Sequence, residues 1–123
     1  MCESLKDEHS KLMQVRVEET WLTPYKWYLV DGLLPSEPVE AKIVKRNSGR
    51  YTLIDMNLFR YDYTHPLLTC VSGDQCTWIM SELHEGIFGS HIGGRALLLK
   101  VIQAGYYWPT MKEDCGRYVQ HCE

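Results

Sequence analysis

The sequence has little that would place it in a membrane, send it to secretion or bind it to DNA by charge alone. No apolar run in its 123 residues approaches the ~20 residues that a membrane-spanning helix needs. The opening stretch, MCESLKDEHSKLM, is charged and lacks the apolar segment of a secretory signal. The net charge is −3, whereas a dedicated duplex-binding domain usually carries a marked basic excess.

Cysteine is present in an odd number, five, and without a visible signal peptide. This usage predicts a reducing, intracellular compartment, in which cysteine fills the core, binds metal or reacts as a thiol before it forms disulfides. A composition with 45% hydrophobic and 24% charged residues supports a hydrophobic core and excludes a disordered tail. The length predicts one domain, or a small domain with an extension.

The N-terminal half is divided by proline and glycine. Residues 1–20 show no clear period and are interpreted as a linker. A short helix is predicted from Pro24 to Val30, ended by Asp31 and Gly32. A second helix is predicted from an N-cap at Ser36, with Pro38 in its first turn and basic residues late. The stretch RYTLIDMNLFRYDY then predicts a β-hairpin that turns at Asp55-Met56-Asn57, with Asn57 in the left-handed conformation. HPLLTCV predicts a third strand.

From Gly73 onward the hydrophobic pattern is helical. DQCTWIMSELHE has its apolar residues at helical spacing and places His84 in its final turn. GGRALLLKVIQAG predicts a second helix, ended by Gly105 at C′. WPTMKEDCGRYVQHCE predicts a third helix, with Pro109 at N1. The fold class is therefore α+β: an extension of helices and a β-hairpin over 21–72, followed by a compact three-helix unit over 73–123.

Two histidines flank a glycine-rich segment in this second part. Six residues lie between His84 and His91, and 30 residues lie between His91 and Cys122, which is predicted on the apolar side of the last helix. Histidine and cysteine are the commonest ligands of tetrahedral zinc. Small helical units whose core is only a few side chains are often stabilised by a metal.

The spacing alone leaves other interpretations open. A single histidine on an apolar helix is more often a core or surface residue than a ligand, and the glycines can be helix caps. Cys76 and Cys115 lie on apolar stripes and are predicted to be core residues. Cys2 and Cys70 have no pattern that assigns them a role. The remaining histidines, at positions 9, 65 and 121, are predicted to lie on the surface, although His121 is a poor alternative fourth ligand.

A longer motif favours the zinc interpretation. The stretch HEGIFGSHIGGRALLLKVIQAGYYWPTMKEDCGRYVQHC, from His84 to Cys122, resembles the HHCC zinc-binding domain of retroelement integrases. It is most similar to those of gypsy-type LTR retrotransposons of plants. Upstream, WLTPYKWYLVDGLLP, EAKIVKRNSGRYTLIDMNLFRY and PLLTCVS are similar to the extension that precedes this domain. The resemblance covers roughly residues 20–123 in collinear order.

The resemblance implies a structural Zn²⁺ held by His84, His91 and Cys122. The family's fourth ligand would fall at position 125, past Glu123, so we expect the site to lack one ligand within this sequence. The aromatic block Tyr106, Tyr107 and Trp108 is expected to pack between the last two helices. The family's catalytic domain, with its three carboxylates, has no counterpart here.

The resulting prediction is a non-catalytic integrase fragment with no membrane and no small-molecule substrate. In the intact protein its partners would be other integrase subunits and retroelement DNA, in the nucleus or a cytoplasmic particle. Nucleic-acid contacts would come from basic residues that are otherwise solvent-facing charges: Lys42, Lys45, Arg46, Arg50, Arg95 and Lys100. Two alternatives stay open: a domesticated protein-interaction module, and an active integrase of which this sequence is only a part.

Overall fold

The computed structural model describes residues 19–85 and 93–121. They form five α-helices, a 3₁₀ turn and a four-stranded sheet, an α+β fold as predicted. The helices are α1 (Leu22–Asp31), α2 (Pro38–Asn47), α3 (Asp74–Glu85), α4 (Gly94–Gln103) and α5 (Met111–His121). The strands are β1 (Tyr51–Ile54), β2 (Asn57–Tyr61), β3 (Leu67–Cys70) and β4 (Tyr106–Tyr107), and the 3₁₀ turn (Ser48–Arg50) precedes β1.

The first two helices differ from the prediction at their starts. Helix α1 begins at Leu22 rather than Pro24, since a proline is tolerated within the first turn, where the N–H groups have no intrahelical partner. It ends as predicted at Gly32, which is left-handed with φ 73. The N-cap of α2 is Glu37 and not Ser36, because a carboxylate oxygen of Glu37 accepts a hydrogen bond from the Glu40 N–H at 2.8 Å. Pro38 is the first helical residue, as expected.

The β-hairpin turns over two residues, not three. Asp55 (φ 52) and Met56 (φ 66) both take positive φ, and Asn57 pairs with Ile54 as the first residue of β2. The prediction that Asn57 takes the left-handed conformation is therefore wrong. Two left-handed residues in a two-residue loop match the right-handed twist of the flanking strands, and this geometry outweighs the preference of Asn for that conformation.

The sheet joins the two parts of the chain. Its order is β1-β2-β3-β4, with β1, β2 and β3 antiparallel and β4 parallel to β3. Strand β4 follows α4 and precedes α5 along the chain. Tyr106 and Tyr107 therefore pair with β3 in the sheet, and do not only pack between the two helices as predicted. Trp108 behaves as predicted, since it is buried in the helical core.

The side chains form two core clusters. One lies among α3, α4 and α5 and includes Leu97, Val101 and Cys115, each with no exposed surface. The other lies between α1, α2 and the sheet and includes Tyr25, Tyr51 and Leu58. Trp21 packs against both clusters. Its indole Nε1 donates a hydrogen bond to the Val71 carbonyl at 2.9 Å, which fixes the start of α1 to the end of β3.

The last helix begins at Met111, two residues after the predicted first residue, Pro109. Pro109 and Thr110 form a turn instead, because Tyr106 and Tyr107 pair with β3 and Trp108 is buried in the core. Asp114 N–H donates to the Thr110 carbonyl at 2.9 Å, so the helical hydrogen bonds start from Thr110. None of the helices within 19–85 and 93–121 is both long and apolar enough to span a bilayer.

Candidate metal centre

His84 lies in the final turn of α3, as the sequence predicts, and its side chain is buried. It is the one polar residue classed as buried within the described part of the chain, with 8% of its surface exposed. Its ring stands against the Tyr118 ring of α5 in an edge-on contact, with centroids 5.5 Å apart and planes at 71°. Burying a polar ring in an apolar interface costs free energy unless the ring is hydrogen-bonded. The buried His84 is therefore a candidate functional residue at the α3–α5 interface.

Helix α5 is held in place at its start by Asp114. Its carboxylate accepts hydrogen bonds from Trp108 Nε1 and Thr110 Oγ1, each at 2.8 Å, and from the Arg117 guanidinium at 2.6 Å. Burial by itself would raise the pKa of Asp114, but these hydrogen bonds and the Arg117 charge outweigh it, so the pKa lies below its usual value. The carboxylate therefore stays ionised and orients α5 relative to the aromatic block.

The other two predicted ligands, His91 and Cys122, lie outside the described residues. Within 19–85 and 93–121 there is no group of three or more His, Cys, Asp or Glu side chains that could hold a metal ion. His121, the alternative ligand, is exposed at the last turn of α5. Of the predicted set, the structure describes His84, and Tyr118, which contacts it, lies four residues before Cys122 in the sequence.

The three described cysteines are core residues. Cys76 and Cys115 lie in the cluster among α3, α4 and α5, and Cys70 lies in the cluster between α1, α2 and the sheet. Burial, the largest cause in each case, raises the pKa of Cys70 to about 12 and those of Cys76 and Cys115 to about 11. The negative charge of Asp114 adds to the increase at Cys76 and Cys115. This confirms the prediction for Cys76 and Cys115.

The predicted nucleic-acid residues are spread over two helices and the 3₁₀ turn. Lys42, Lys45, Arg46 and Arg50 are exposed on α2 and the turn after it, whereas Arg95 is exposed and Lys100 half-buried on α4. Helix α2 also exposes Val39 and Ile43 beside Lys42 and Arg46, so that its outer face is mixed apolar and basic. Contact of these six residues with nucleic acid is not tested by their positions and stays a prediction.

Tyr118 and Trp21 are the positions that sequence reasoning missed. Tyr118 is a partly buried residue of α5, but helical spacing does not reveal which side chain it contacts. Trp21 precedes the first helix, and its hydrogen bond to Val71 joins residues 50 positions apart. No local pattern predicts such a contact.

Comparison with known proteins finds a family similar to the helical unit. The family described as "Integrase zinc binding domain" matches residues 71–123. This segment contains α3, α4 and α5, and the match agrees with the resemblance seen in the motif from His84 to Cys122.

A curated relative matches beyond that segment. The chain is 28% identical over 91 residues to a mouse protein named "Gypsy retrotransposon integrase-like protein 1". The match covers 70% of this chain but 17% of the relative, so the chain spans less than a fifth of that protein's length.

Proposed function

We propose that the chain is a non-catalytic part of a gypsy-type retrotransposon integrase, in which the helical unit is stabilised by a structural zinc. His84, His91 and Cys122 would hold the metal, with a fourth ligand still to be identified. The observation that carries this proposal is the burial of His84 against Tyr118, at the seam between the last turn of α3 and the helix that leads to Cys122.

The donor chemistry supports zinc at this place. Imidazole nitrogen and thiolate sulfur are the ligands of structural zinc sites, in which all four positions are filled by the protein. Such a metal supplies folding free energy rather than reactivity, because it leaves no open position for water or substrate. The remaining residues of the unit orient this site: Asp114 fixes the start of α5, and Tyr118 sets the position of the His84 ring.

The same proposal covers the role in the intact protein. The helical unit and its extension would help integrase subunits to assemble and would hold the ends of retroelement DNA during integration, in the nucleus or a cytoplasmic particle. The exposed cations of α2 and α4 are the candidate DNA contacts.

A titration of the metal-free chain with Zn²⁺, followed by circular dichroism, tests the zinc site. We expect one zinc ion per chain and a gain of helix on binding. His84→Ala, His91→Ala and Cys122→Ser should each weaken binding strongly. His65→Ala is the matched control, because His65 lies in the loop between β2 and β3 with its neighbours Asp62 and Thr64. Unchanged binding in His84→Ala would refute the assignment of that ligand.

A second candidate, a protein-interaction module derived from a retroelement, is favoured by exposed apolar side chains on and after α1. Trp27, Val30 and Leu33 are 50%, 49% and 57% exposed, a cluster typical of interaction surfaces. This candidate predicts a chain that is fully folded without zinc. The circular dichroism of the metal-free chain therefore separates the two.

A further inference from the structure

The sheet of the extension is completed by residues of the helical unit. Strand β4 comes from the segment between α4 and α5, yet it pairs with β3 of the extension. The Thr69 N–H donates to the Gly105 carbonyl at 2.7 Å, and the Val71 N–H donates to the Tyr107 carbonyl at 3.1 Å. A strand of two residues is too short to persist unless its surroundings hold it. Strand β4 therefore depends on α4 and α5 as well as on β3.

Two aromatic side chains pack against both core clusters, Trp21 before α1 and Tyr107 of β4. Their ring centroids lie 5.9 Å apart, with the planes at 77°. The Trp21 ring is also 5.9 Å from the ring of Tyr51 in β1. Because each of these two rings belongs to both clusters, a displacement of β4 removes contacts from the hairpin as well as from the helices.

Arg60 adds a direct contact between the hairpin and β4. It is partly buried in β2, and its guanidinium carbon is 4.5 Å from the Tyr107 ring centroid and 5.7 Å from that of Tyr51. Both distances are within the range of a cation–π interaction. If Tyr107 leaves the sheet, the partly desolvated guanidinium loses its closer ring, which costs free energy in the hairpin.

On its other side, β4 is held by the helices of the candidate metal centre. Trp108 follows Tyr107 directly, is buried in the helical core, and donates its Nε1 hydrogen to the Asp114 carboxylate at 2.8 Å. Asp114 lies in the first turn of α5, and the same helix carries Tyr118, whose ring contacts that of His84. The position of α5 therefore fixes Trp108 and, with it, Tyr107.

We propose that the β-hairpin and the helical unit open as one cooperative unit joined through β4, so that zinc bound in the helical unit also orders the hairpin. The inference rests on the proposed function for the metal, whereas the connection consists of contacts between described residues. A metal that binds the folded helical unit, and not the unfolded one, stabilises that unit. Because β4 forms only when α4 and α5 are in place, this stabilisation extends to β1, β2 and β3.

Amide hydrogen exchange of the full chain, with zinc and after its removal by a chelator, tests the connection. The hairpin probes are the amides of Thr52 and Phe59, which face each other in a hydrogen-bonded pair of β1 and β2. The helix probe is the Leu97 amide, which donates to the Gly93 carbonyl at 3.0 Å. We expect zinc to slow exchange at all three amides by the same factor. Slower exchange at Leu97 alone would overturn the proposal.

A pair of variants in α4 tests the connection without reference to the metal. Val101 is fully buried, whereas Leu99 on the same helix is 53% exposed. Val101→Ala leaves a cavity in the helical core and should speed exchange at Thr52, Phe59 and Leu97 alike, by about 5- to 30-fold. Leu99→Ala is the control and should change exchange by less than about twofold. Faster exchange at Leu97 alone in Val101→Ala would show that the two parts open separately.

The converse substitution, in the hairpin, decides the question if Val101→Ala does not fold. Leu58 of β2 is buried, and Ile54 of β1 is 46% exposed. Since energetic coupling between two sites is reciprocal, Leu58→Ala should speed exchange at Leu97 as well as at Phe59, whereas Ile54→Thr should leave both unchanged. Unchanged exchange at Leu97 in Leu58→Ala would refute the connection. If zinc alters exchange at no amide, the proposed metal fails, and these variants still decide whether the two parts open together.

Discussion

Gly94 at the start of α4 lies so close to the backbone of Gly116 in the middle of α5 that α4 could not carry a larger side chain at this position. A Cβ built on Gly94 would lie 2.8 Å from the Gly116 Cα, a distance that real Cβ contacts do not reach. A Cβ on Gly116 meets nothing within 4 Å. The close approach therefore depends on the glycine of α4 and not on that of α5.

Alanine at these two positions should have opposite effects. Gly94→Ala forces α4 and α5 apart and should lower the free energy of unfolding by about 1–3 kcal/mol, the usual cost of overpacking. Gly116→Ala is the matched control. It should be neutral or stabilise by up to about 1 kcal/mol, because alanine favours the helix. Urea denaturation of the zinc-loaded chain measures both; equal destabilisation by the two variants would contradict the helix contact.

The Trp21 indole should contribute to stability through its hydrogen bond as well as its packing. Trp21→Phe keeps an aromatic ring but removes the N–H that reaches the Val71 carbonyl. We expect a loss of about 1–2 kcal/mol in the free energy of unfolding. Trp78→Phe is the control, since Trp78 is 61% exposed and should change stability by less than about 0.5 kcal/mol. Thermal denaturation that ranks the two variants the other way would refute this contact.

Asp114 should make stability depend on pH in the acidic range. Because its pKa is lower in the folded chain than the ordinary value of 3.8, its stabilising effect is complete above that value. The effect is lost as pH falls through the folded pKa. Asp114→Asn should remove this dependence and lower stability at neutral pH by about 1–2 kcal/mol. Glu113→Gln, an exposed neighbour, is the control. Denaturation curves between pH 2 and 7 measure the difference, and identical pH profiles for Asp114→Asn and wild type would contradict it.

Glycine at position 56 should make the hairpin turn more stable than methionine does. Met56 has φ 66, a strained backbone conformation for a residue other than glycine, and its side chain is 61% exposed. Removing this side chain should therefore cost little packing free energy. Met56→Gly should raise the free energy of unfolding by up to about 1 kcal/mol. Gly32→Ala is the converse test, because Gly32 has φ 73 with open space around it. This substitution should lower the free energy of unfolding by a similar amount. A loss of stability in Met56→Gly would show that the turn is not strained.

The sequence predicts the helical unit well and the sheet only in part. Helix α3 has strong apolar periodicity over twelve residues, and its pattern places His84 in the last turn correctly. Strand β4 has two residues, too few to show any alternation, and it forms because β3 offers a free edge. The start of α5 shifts for the same reason, since Tyr106 and Tyr107 are already engaged in the sheet.

The candidate site, like the fold, could be predicted from the sequence only in part. The type and order of the predicted zinc ligands are visible in the sequence, as is the resemblance of their motif to integrases. The burial of His84 against Tyr118 is not, because it depends on how α3 crosses α5.

X-ray absorption at the zinc edge of the zinc-loaded full chain tests the assignment of His84 most directly. We predict a four-coordinate shell that contains imidazole nitrogen at about 2.0–2.1 Å and sulfur at about 2.3 Å. In His84→Ala the imidazole signal should decrease, or zinc should no longer be retained, whereas His65→Ala should reproduce the wild-type spectrum. A shell of oxygen ligands without sulfur, or a spectrum that is the same in wild type and His84→Ala, would contradict a structural zinc site built on His84.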